Sequence, residues 1–265
     1  MLYLGTTNRN KVAEIAALLA PLGLEVRTVA LDVPEPHATL RANAIAKGEA
    51  YAKHSGGVAM AEDSGLFIPT LDDLPGPWSA RFSDSRLILM PPRLRGKMLE
   101  ISNESPIWTR DNIEALEAND EPNRDALNVA RVLSLLRDPT SLGHAAIGQS
   151  ADQVTEGNEH RRILGIIGHD VPALPPHAAE FRVVLVVVHP IRGLLFEVEA
   201  RYNGWIADPP RGDRGFGYDS IFVGHDTFGA TLAELDVARK NLRSHRKIAL
   251  DAFYAWASQN LGELT

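Results

Sequence analysis

The first 60 residues alternate short apolar runs with amphipathic segments. Leu2-Tyr3-Leu4 predicts a strand, and apolar residues at helical spacing predict a helix over about 11–22. A second strand is expected over 25–29. An alanine-rich helix follows over about 40–53, with Thr39 as its N-cap. Strands and helices in this order predict an α/β fold.

The centre of the chain carries two adjacent acids, Glu62 and Asp63. They follow the small apolar run 57–61 and precede Ser64-Gly65, after which residues 66–68 are apolar again. This pattern predicts a strand end, a turn at Ser64-Gly65 and a second short strand. Side chains of neighbouring strand residues point to opposite faces, so only the turn would bring both acids towards one pocket. Adjacent carboxylates favour a hard divalent cation between them, although the same residues also suit a solvated turn.

The C-terminal part predicts a covered sheet and a final helix. Residues 181–189 and 193–200 form a hairpin pattern whose first strand is apolar on both faces. A turn is expected over 203–206, a short strand over 220–223 and a helix over about 243–261.

Two polar, proline-bearing stretches interrupt this pattern, at about 83–124 and 138–178. We interpret them as insertions in a single domain spanning 1–265, with helices around 94–101 and 110–118. Between them, apolar spacing predicts a helix over 125–136.

Charge and composition exclude several classes of protein. The 265 residues have a formal net charge of -7, which argues against a protein that coats nucleic acid. The longest apolar runs, such as Val183 to Val188, are far shorter than the roughly 20 residues that cross a bilayer, so no membrane partner is expected. The absence of cysteine excludes disulfides and thiolate chemistry and fits a cytoplasmic location.

Three further stretches carry candidate chemistry. The turn over 5–10 leads into a helix at Lys11, an arrangement that suits an anion, or a simple helix cap. Phe216 lies between two glycines and could stack on a nucleobase or serve as a buried anchor. The segment 240–246 places several cationic or titratable groups at a helix start, where donors suit a phosphate or a carbonyl oxygen.

Taken in order, five motifs resemble the inosine triphosphatase family, the house-cleaning pyrophosphatases of non-standard purine nucleoside triphosphates. The motifs are Thr6-Thr7-Asn8-Arg9-Asn10-Lys11, Ala61-Glu62-Asp63-Ser64-Gly65, Pro75-Gly76-Pro77-Trp78-Ser79-Ala80-Arg81-Phe82, Gly215-Phe216-Gly217-Tyr218-Asp219-Ser220-Ile221-Phe222 and Ser244-His245-Arg246. The resemblance implies an elongated α/β fold with a long mixed sheet, flanking helices, two lobes and a central cleft, usually in a homodimer. It also implies hydrolysis of ITP, dITP or XTP to the monophosphate and pyrophosphate with Mg²⁺, or with Mn²⁺ in its place.

The resemblance further implies roles for individual residues. Asp63 and Glu62 would bind the metal, and these two acids and Lys11 would serve catalysis. The groups that would bind the nucleotide are Thr6, Thr7, Asn8, Lys11, Lys47, Ser64, Phe216, Gly217, Tyr218, Asp219, Lys240, Ser244, His245 and Arg246. Of these, Phe216 would stack on the base, and His245 and Arg246 would donate to its 6-keto oxygen.

Two departures from the family pattern bear on activity. Glu62 stands where many members have Asp, and Ala42 stands where the resemblance implies a metal-binding glutamate. We expect Glu35 or Glu62 to substitute for that missing acid. The alternative is a catalytically weak or inactive nucleotide-binding protein of the same fold that acts as a regulatory or interaction module. A related pyrophosphatase for pyrimidine or modified nucleotides is less well supported, since the purine-type motifs are present.

Overall fold

The computed structural model describes residues 1–6, 12, 15–16, 19–83, 121–137 and 177–264. The first strand, β1 (Leu2–Gly5), and the second, β2 (Val26–Thr28), are confirmed. Between them, residues 12, 15–16 and 19 are helical, and a 3₁₀ turn follows at Ala20–Leu22. The helices expected around 94–101 and 110–118, and nearly all of the two expected insertions, lie outside the described residues.

Helix α1 (Leu40–Ser55) begins where the sequence predicts. The hydroxyl oxygen of Thr39 accepts a hydrogen bond from the Ala42 backbone N–H at 3.2 Å, so Thr39 is the N-cap. Ala44 and Ala52 are fully buried on the face that packs against the sheet. These small side chains allow the helix axis to lie close to the strands.

The expected turn at Ser64-Gly65 is wrong, because strand β3 (Ala59–Ile68) runs through both residues without a break. Gly65 is needed for close packing and not for a turn. A β-carbon there would lie 2.2 Å from the Gly76 carbonyl oxygen, so only glycine lets the 3₁₀ segment Gly76–Arg81 pack against the strand.

The remaining elements are β4 (Leu74–Pro75), α2 (Glu121–Arg137), β5 (Ala178–His189), β6 (Gly193–Ile206), β7 (Phe222–Gly224), α3 (Val237–Asn241) and α4 (His245–Ala257). The strands form one seven-stranded mixed sheet with the order β2-β1-β3-β5-β6-β7, and β4 pairs with the far end of β3. The pairs β1/β2 and β1/β3 are parallel and the others are antiparallel. The predicted α/β class with a long mixed sheet is confirmed.

Two boundaries in the C-terminal part differ from the prediction. The expected turn over 203–206 is wrong, since β6 extends to Ile206 and pairs there with β5 on one side and β7 on the other. Helix α4 is shorter than predicted, because Ser244 caps its start by accepting from the Lys247 N–H and the α-helix ends at Ala257.

The buried core divides into two lobes along the ribbon formed by β3, β5 and β6. In the first lobe, α4 covers one sheet face, over Met60 and Leu185, and α1 covers the other, over Ala61 and Val184. The second lobe is built around the far end of β3, β4, β7 and α2 and has a separate apolar cluster. Two lobes are therefore present, as the resemblance implies.

One edge of β3 lies open between the lobes. Its pairing with β1 ends at Ala61, and its pairing with β4 begins at Phe67. Over residues 62–66, no described strand lies on that side. The Leu66 N–H is satisfied instead by the Ser79 hydroxyl at 2.8 Å. The two adjacent acids therefore stand where side chains from both lobes can approach the strand.

None of the described helices is long and apolar enough to cross a membrane.

Candidate active site

A cavity of about 760 Å³ lies between the two lobes, beside the open edge of β3. This volume is within the range of sites that take a nucleotide-sized ligand. Its walls come from both lobes and include Thr6, Glu35, Lys47, Tyr51, Glu62, Ser64, Ser79, Asp125, Phe181, Phe216, Gly217, Tyr218, Asp219, Lys240, Ser244, His245 and Arg246.

Asp63 is held by two donors from α1. Its Oδ2 accepts from the Asn43 side-chain amide at 3.0 Å, and its Oδ1 accepts from Lys47 Nζ at 3.1 Å. Asn43 and Lys47 are one helical turn apart, so both side chains lie on the same face of α1. Asn43 is fixed in turn by the His37 backbone, to which it donates and from which it accepts. The position of the Asp63 carboxylate is therefore set by one helix face.

Glu35 joins this group from the loop that precedes α1. Its carboxylate forms an ion pair with Lys47, and Arg81 binds the Glu35 carbonyl oxygen at 2.5 Å. Lys47 also donates to the Glu62 carbonyl oxygen at 3.0 Å. A single ammonium thus connects two carboxylates, and both Lys47 and Glu35 line the cavity. We refer to Glu35, Lys47 and Asp63 as the carboxylate cluster.

Lys47 stays charged in this setting. Burial lowers the pKa of its ammonium, but the charges of Asp63 and Glu35 and their hydrogen bonds outweigh burial, and the pKa is raised. Lys47 therefore supplies a fixed positive charge at the cavity wall.

Glu62 lies on the opposite face of the sheet. Its strand partner is Leu185, in the core under α4, whereas the partner of Asp63 is Val184, in the core under α1. Both oxygens of the Glu62 carboxylate accept from Arg246 Nε, at 3.0 and 2.8 Å. The two side chains are only 2% and 4% exposed. Of the two adjacent acids, Glu62 therefore binds Arg246, whereas Asp63 binds Asn43 and Lys47.

The loop around Phe216 is held by Asp219. Its Oδ2 accepts from the Phe216 N–H at 2.8 Å and from Lys240 Nζ at 2.6 Å, and that ammonium lies 4.5 Å from the centre of the Phe216 ring. Burial raises the pKa of Asp219, and this rise is opposed chiefly by Lys240, then by the Phe216 N–H and by Arg246. Gly215 has φ of +82°, and a β-carbon there would strike the Asp219 carboxylate, so a side chain is excluded.

Helix α2 supports the same loop from the second lobe. Asp125 accepts from the Gly217 N–H at 2.6 Å, and the Tyr218 hydroxyl donates to the Ser79 carbonyl oxygen at 2.8 Å. Asn128 accepts from the Ser83 N–H at 2.7 Å and donates to the Ser79 carbonyl oxygen at 3.3 Å. Burial raises the pKa of the Tyr218 phenol well above its ordinary value, so it remains a neutral donor. The Phe216 loop is consequently held at the N–H groups of Phe216 and Gly217.

His245 and Arg246 enter the cavity from the first turn of α4. The His245 ring stacks on Phe181 of β5, with centroids 5.0 Å apart and planes inclined by 17°. Because Ser244 caps α4, the orientation of both side chains is tied to the helix start.

The structure brings together most of the residues predicted for the site. Thr6, Lys47, Ser64, Lys240, Ser244, His245, Arg246 and residues 216–219 all line the one cavity, as does Glu62. Asp63 lies directly behind this lining, where it accepts a hydrogen bond from Lys47, which lines the cavity. Thr7, Asn8 and Lys11 lie outside the described residues.

Other residues of the site had weak signals in the sequence or none. Asn43 and Asp125 are polar residues on predicted helices, where a solvated side chain is the ordinary interpretation. Phe181 looked like a plain core residue of a strand. Glu35, considered as a substitute for the acid missing at position 42, lies in the carboxylate cluster. Ala42 itself is not part of that cluster. It precedes Asn43 in α1, and its backbone N–H donates to the Thr39 cap.

The cluster suits a hard divalent cation that shares its coordination with a ligand. Carboxylate oxygens are what Mg²⁺ prefers, and it is commonly held by one or two of them together with phosphate oxygens and waters. Within the described ranges, no three or more His, Cys, Asp or Glu side chains are close enough to hold a metal. The two carboxylates that share Lys47 suit a cation whose other ligands include phosphate oxygens.

The chain is similar to known proteins over most of its length. The sequence profile of the Ham1 family matches residues 2–102 and 147–256. Proteins named dITP/XTP pyrophosphatase from Aquifex aeolicus, Aromatoleum aromaticum and Ralstonia nicotianae are 30%, 31% and 32% identical over 251, 253 and 253 residues. Each alignment covers 94% of this chain and 92% of the relative.

Solved structures give the same result. A HAM1 protein from Coxiella burnetii matches with a TM-score of 0.62 and 25% identity, over 97% of this chain and 98% of that one. A nucleoside-triphosphatase, also named dITP/XTP pyrophosphatase, from Mycobacterium abscessus matches with a TM-score of 0.54 and 27% identity, over 95% and 96%. Since the profile match extends over most of the sequence and the relatives align over nearly their whole length, the chain belongs to the Ham1 family.

Proposed function

We propose that this protein is a nucleoside triphosphate pyrophosphatase that hydrolyses dITP, ITP and XTP to the monophosphate and pyrophosphate. The names of its relatives support that substrate class. The observation that carries the proposal is that one cavity holds two different kinds of wall. On one side the Phe216 ring lies beside the ammonium of Lys240, and on the other lies the carboxylate cluster around Lys47. The aromatic ring suits a planar base, and the ammonium of Lys47 suits a polyanion in the same cavity.

The base would stack on Phe216. The ring is kept in place by the hydrogen bonds of Asp219 and Asp125 to the loop N–H groups. Lys240, Ser244, His245 and Arg246 would surround the base edge, where donors favour the 6-keto oxygen of hypoxanthine and xanthine over the 6-amino group of adenine.

The triphosphate would extend towards the carboxylate cluster. Lys47 provides positive charge there, and Thr6, Ser64 and the N-terminal turn with Thr7, Asn8 and Lys11 would contribute further donors. Asp63 would orient the attacking water and accept its proton, since two donors from α1 fix its carboxylate. Attack at the α-phosphorus then releases pyrophosphate.

We propose that Asp63 and Glu35 hold the metal, with Mg²⁺ as the physiological ion and Mn²⁺ as a substitute. Both carboxylates already share one cation, Lys47. A bound divalent ion would neutralise charge along the triphosphate. Glu62, the second metal ligand in our sequence interpretation, is engaged by Arg246 on the other face of the sheet.

Pyrophosphate release from a panel of ITP, dITP, XTP, GTP, ATP and UTP tests the function, with Mg²⁺, Mn²⁺ or a chelator. We expect metal-dependent release that is fastest with the 6-keto, non-standard purines. Tight ITP binding without release would instead favour the nucleotide-binding alternative. No preference for those purines would contradict the proposed substrate class.

We also propose a single domain over 1–265, with the polar stretches at about 83–124 and 138–178 as insertions, acting as a cytoplasmic homodimer. Analytical ultracentrifugation tests the dimer, and fractionation of the source cells tests the location.

A further inference from the structure

The ion pair between Glu62 and Arg246 joins parts of the chain that are 184 residues apart. Arg246 Nε contacts both carboxylate oxygens, at 3.0 and 2.8 Å, and both side chains are almost completely buried. Taking two charges out of water is costly, and removing either partner leaves the other charge buried. An interaction of this kind fixes the orientation of a guanidinium.

The orientation of Arg246 matters because this residue lines the cavity next to His245. A guanidinium is a planar fork of donors, so engaging Nε determines the plane in which its other N–H groups lie. The carboxylate that does this belongs to the strand residue directly before Asp63, but it projects from the opposite face of the sheet.

We propose that Glu62 is a positioning residue for base selection, which holds Arg246 as a donor towards the purine 6-keto oxygen and does not ligate the metal. This inference rests on the proposed function and assigns a separate role to each of the two adjacent acids. Glu62 acts on the base, through Arg246, while Asp63 acts on the triphosphate.

Discrimination between bases explains why a buried charge pair is useful here. A donor that is rigidly held is satisfied by a 6-keto oxygen and left unpaired by a 6-amino group, and unpaired buried donors are strongly disfavoured. If Arg246 could rotate, it could turn away from the amino group, and the penalty against adenine would fall. The carboxylate of Glu62 prevents that rotation.

Nucleotide binding in the presence of a chelator tests the inference without any contribution from metal. Inosine and adenosine monophosphates are the probes, with calorimetry as the measurement. In Glu62→Gln, we expect the IMP affinity to fall about tenfold and the preference for IMP over AMP to fall with it. Glu62→Asp keeps the charge but is one methylene shorter, and we expect it to lie between the wild type and Glu62→Gln. An unchanged IMP affinity in Glu62→Gln would overturn the inference.

A double-mutant cycle separates action through Arg246 from independent action. Arg246→Gln should lose IMP affinity to a similar extent, and Glu62→Gln should add little in that background because its partner is already gone. The double variant also removes both buried charges, so it folds without a lone ion in the core. A full additional loss in the double variant would contradict positioning through Arg246.

Kinetics distinguish this role from metal binding and from general damage. We expect Glu62→Gln to raise KM for dITP more than it lowers kcat, and to leave the midpoint of the Mg²⁺ titration unchanged. A shifted midpoint with normal IMP affinity would make Glu62 a metal ligand. Glu197→Gln is the matched control, because Glu197 pairs with Arg41 at the surface. Absence of dITP hydrolysis by the wild type would refute the proposed function, whereas normal wild-type activity with an unchanged Glu62→Gln would refute only the positioning role.

Discussion

Glu62 and Asp63 are consecutive residues of one strand, yet their carboxylates bind cations on opposite faces of the sheet. Glu62 accepts from Arg246 of α4, and Asp63 accepts from Lys47 of α1. Two like charges next to each other in sequence are therefore separated by the sheet and neutralised independently. The open edge of β3 lets one cavity reach both groups.

Replacing the carboxylate of Asp63 tests its part in the reaction. We expect Asp63→Asn to lower kcat for dITP by on the order of 10²- to 10³-fold, because the amide cannot accept a proton from water. Nucleotide affinity should change far less, since the amide still accepts from Asn43 or Lys47. Pyrophosphate release and calorimetric ITP binding with Mg²⁺ are the measurements. Asp251→Asn, at an exposed pair on α4, is the control, and a kcat above about a tenth of wild type in Asp63→Asn would contradict the assignment.

The raised pKa of Lys47 predicts a particular pH dependence. Its ammonium stays charged at least up to its ordinary pKa of 10.5, so kcat/KM should show no alkaline decline from this group below that pH. Because the folded-state pKa is above the unfolded one, the stabilisation it contributes is complete below 10.5 and is lost as pH rises through the folded value.

Thermal unfolding of the wild type and of Lys47→Met across alkaline pH measures this contribution. The difference in Tm between the two should stay constant until the pH exceeds the ordinary lysine value. A wild-type Tm that already rises relative to that of Lys47→Met at about pH 9 would mean that burial dominates and that the pKa is lowered.

Glu35 is expected to affect metal affinity more than nucleotide affinity. We predict that Glu35→Gln raises the midpoint of the Mg²⁺ titration about tenfold, since a charged oxygen ligand is replaced by a neutral one. Mn²⁺ binding followed by electron paramagnetic resonance gives a readout independent of turnover. IMP affinity measured with a chelator should be unaffected, and a fall in that affinity would place Glu35 on the base side instead.

Ala42→Glu tests whether an acid at this position also serves the metal, as the family resemblance implies. The substitution would place a glutamate three residues after Thr39 and complete a capping box, which should stabilise α1 by about 0.5 kcal/mol. We expect higher turnover at low Mg²⁺ as well. A raised Tm with an unchanged Mg²⁺ titration would limit position 42 to helix capping.

Asp125 is predicted to act on the base-binding loop from helix α2. Asp125→Ala removes the acceptor for the Gly217 N–H, and we expect KM for dITP to rise about tenfold with little change in kcat. Asp125→Asn should recover part of the loss, because its amide oxygen can still accept. Equal losses in the two variants would show that the charge of Asp125 matters and the hydrogen bond does not.

Local patterns were sufficient for much of this fold. Alternation and capping predicted β1, the start of α1 and the β5–β6 hairpin, because these depend on near neighbours in the sequence. The continuation of β3 through Gly65 could not be predicted, since that glycine is required by Gly76, a residue brought against it by tertiary packing. A glycine needed for close approach and a glycine needed for a turn look the same in a sequence.

The site divides in the same way. Motif order placed Phe216, Asp219, His245 and Arg246 in one cavity, and the structure agrees. The partners of the two acids were not predictable, because the contact of Glu62 with Arg246 spans most of the chain and that of Asp63 with Asn43 crosses from strand to helix. Long-range partners depend on how helices dock on the sheet.

The placement of Glu62 and Asp63 next to each other on β3 fixes the spacing between the residues that anchor Arg246 and Lys47. Successive α-carbons across a trans peptide are 3.8 Å apart, and this spacing does not change when domains rotate. The anchor points for Arg246 and Lys47 therefore keep a fixed distance from each other, which the covalent chain sets. The groups proposed to contact the base and the triphosphate are thus tied to neighbouring residues of one strand.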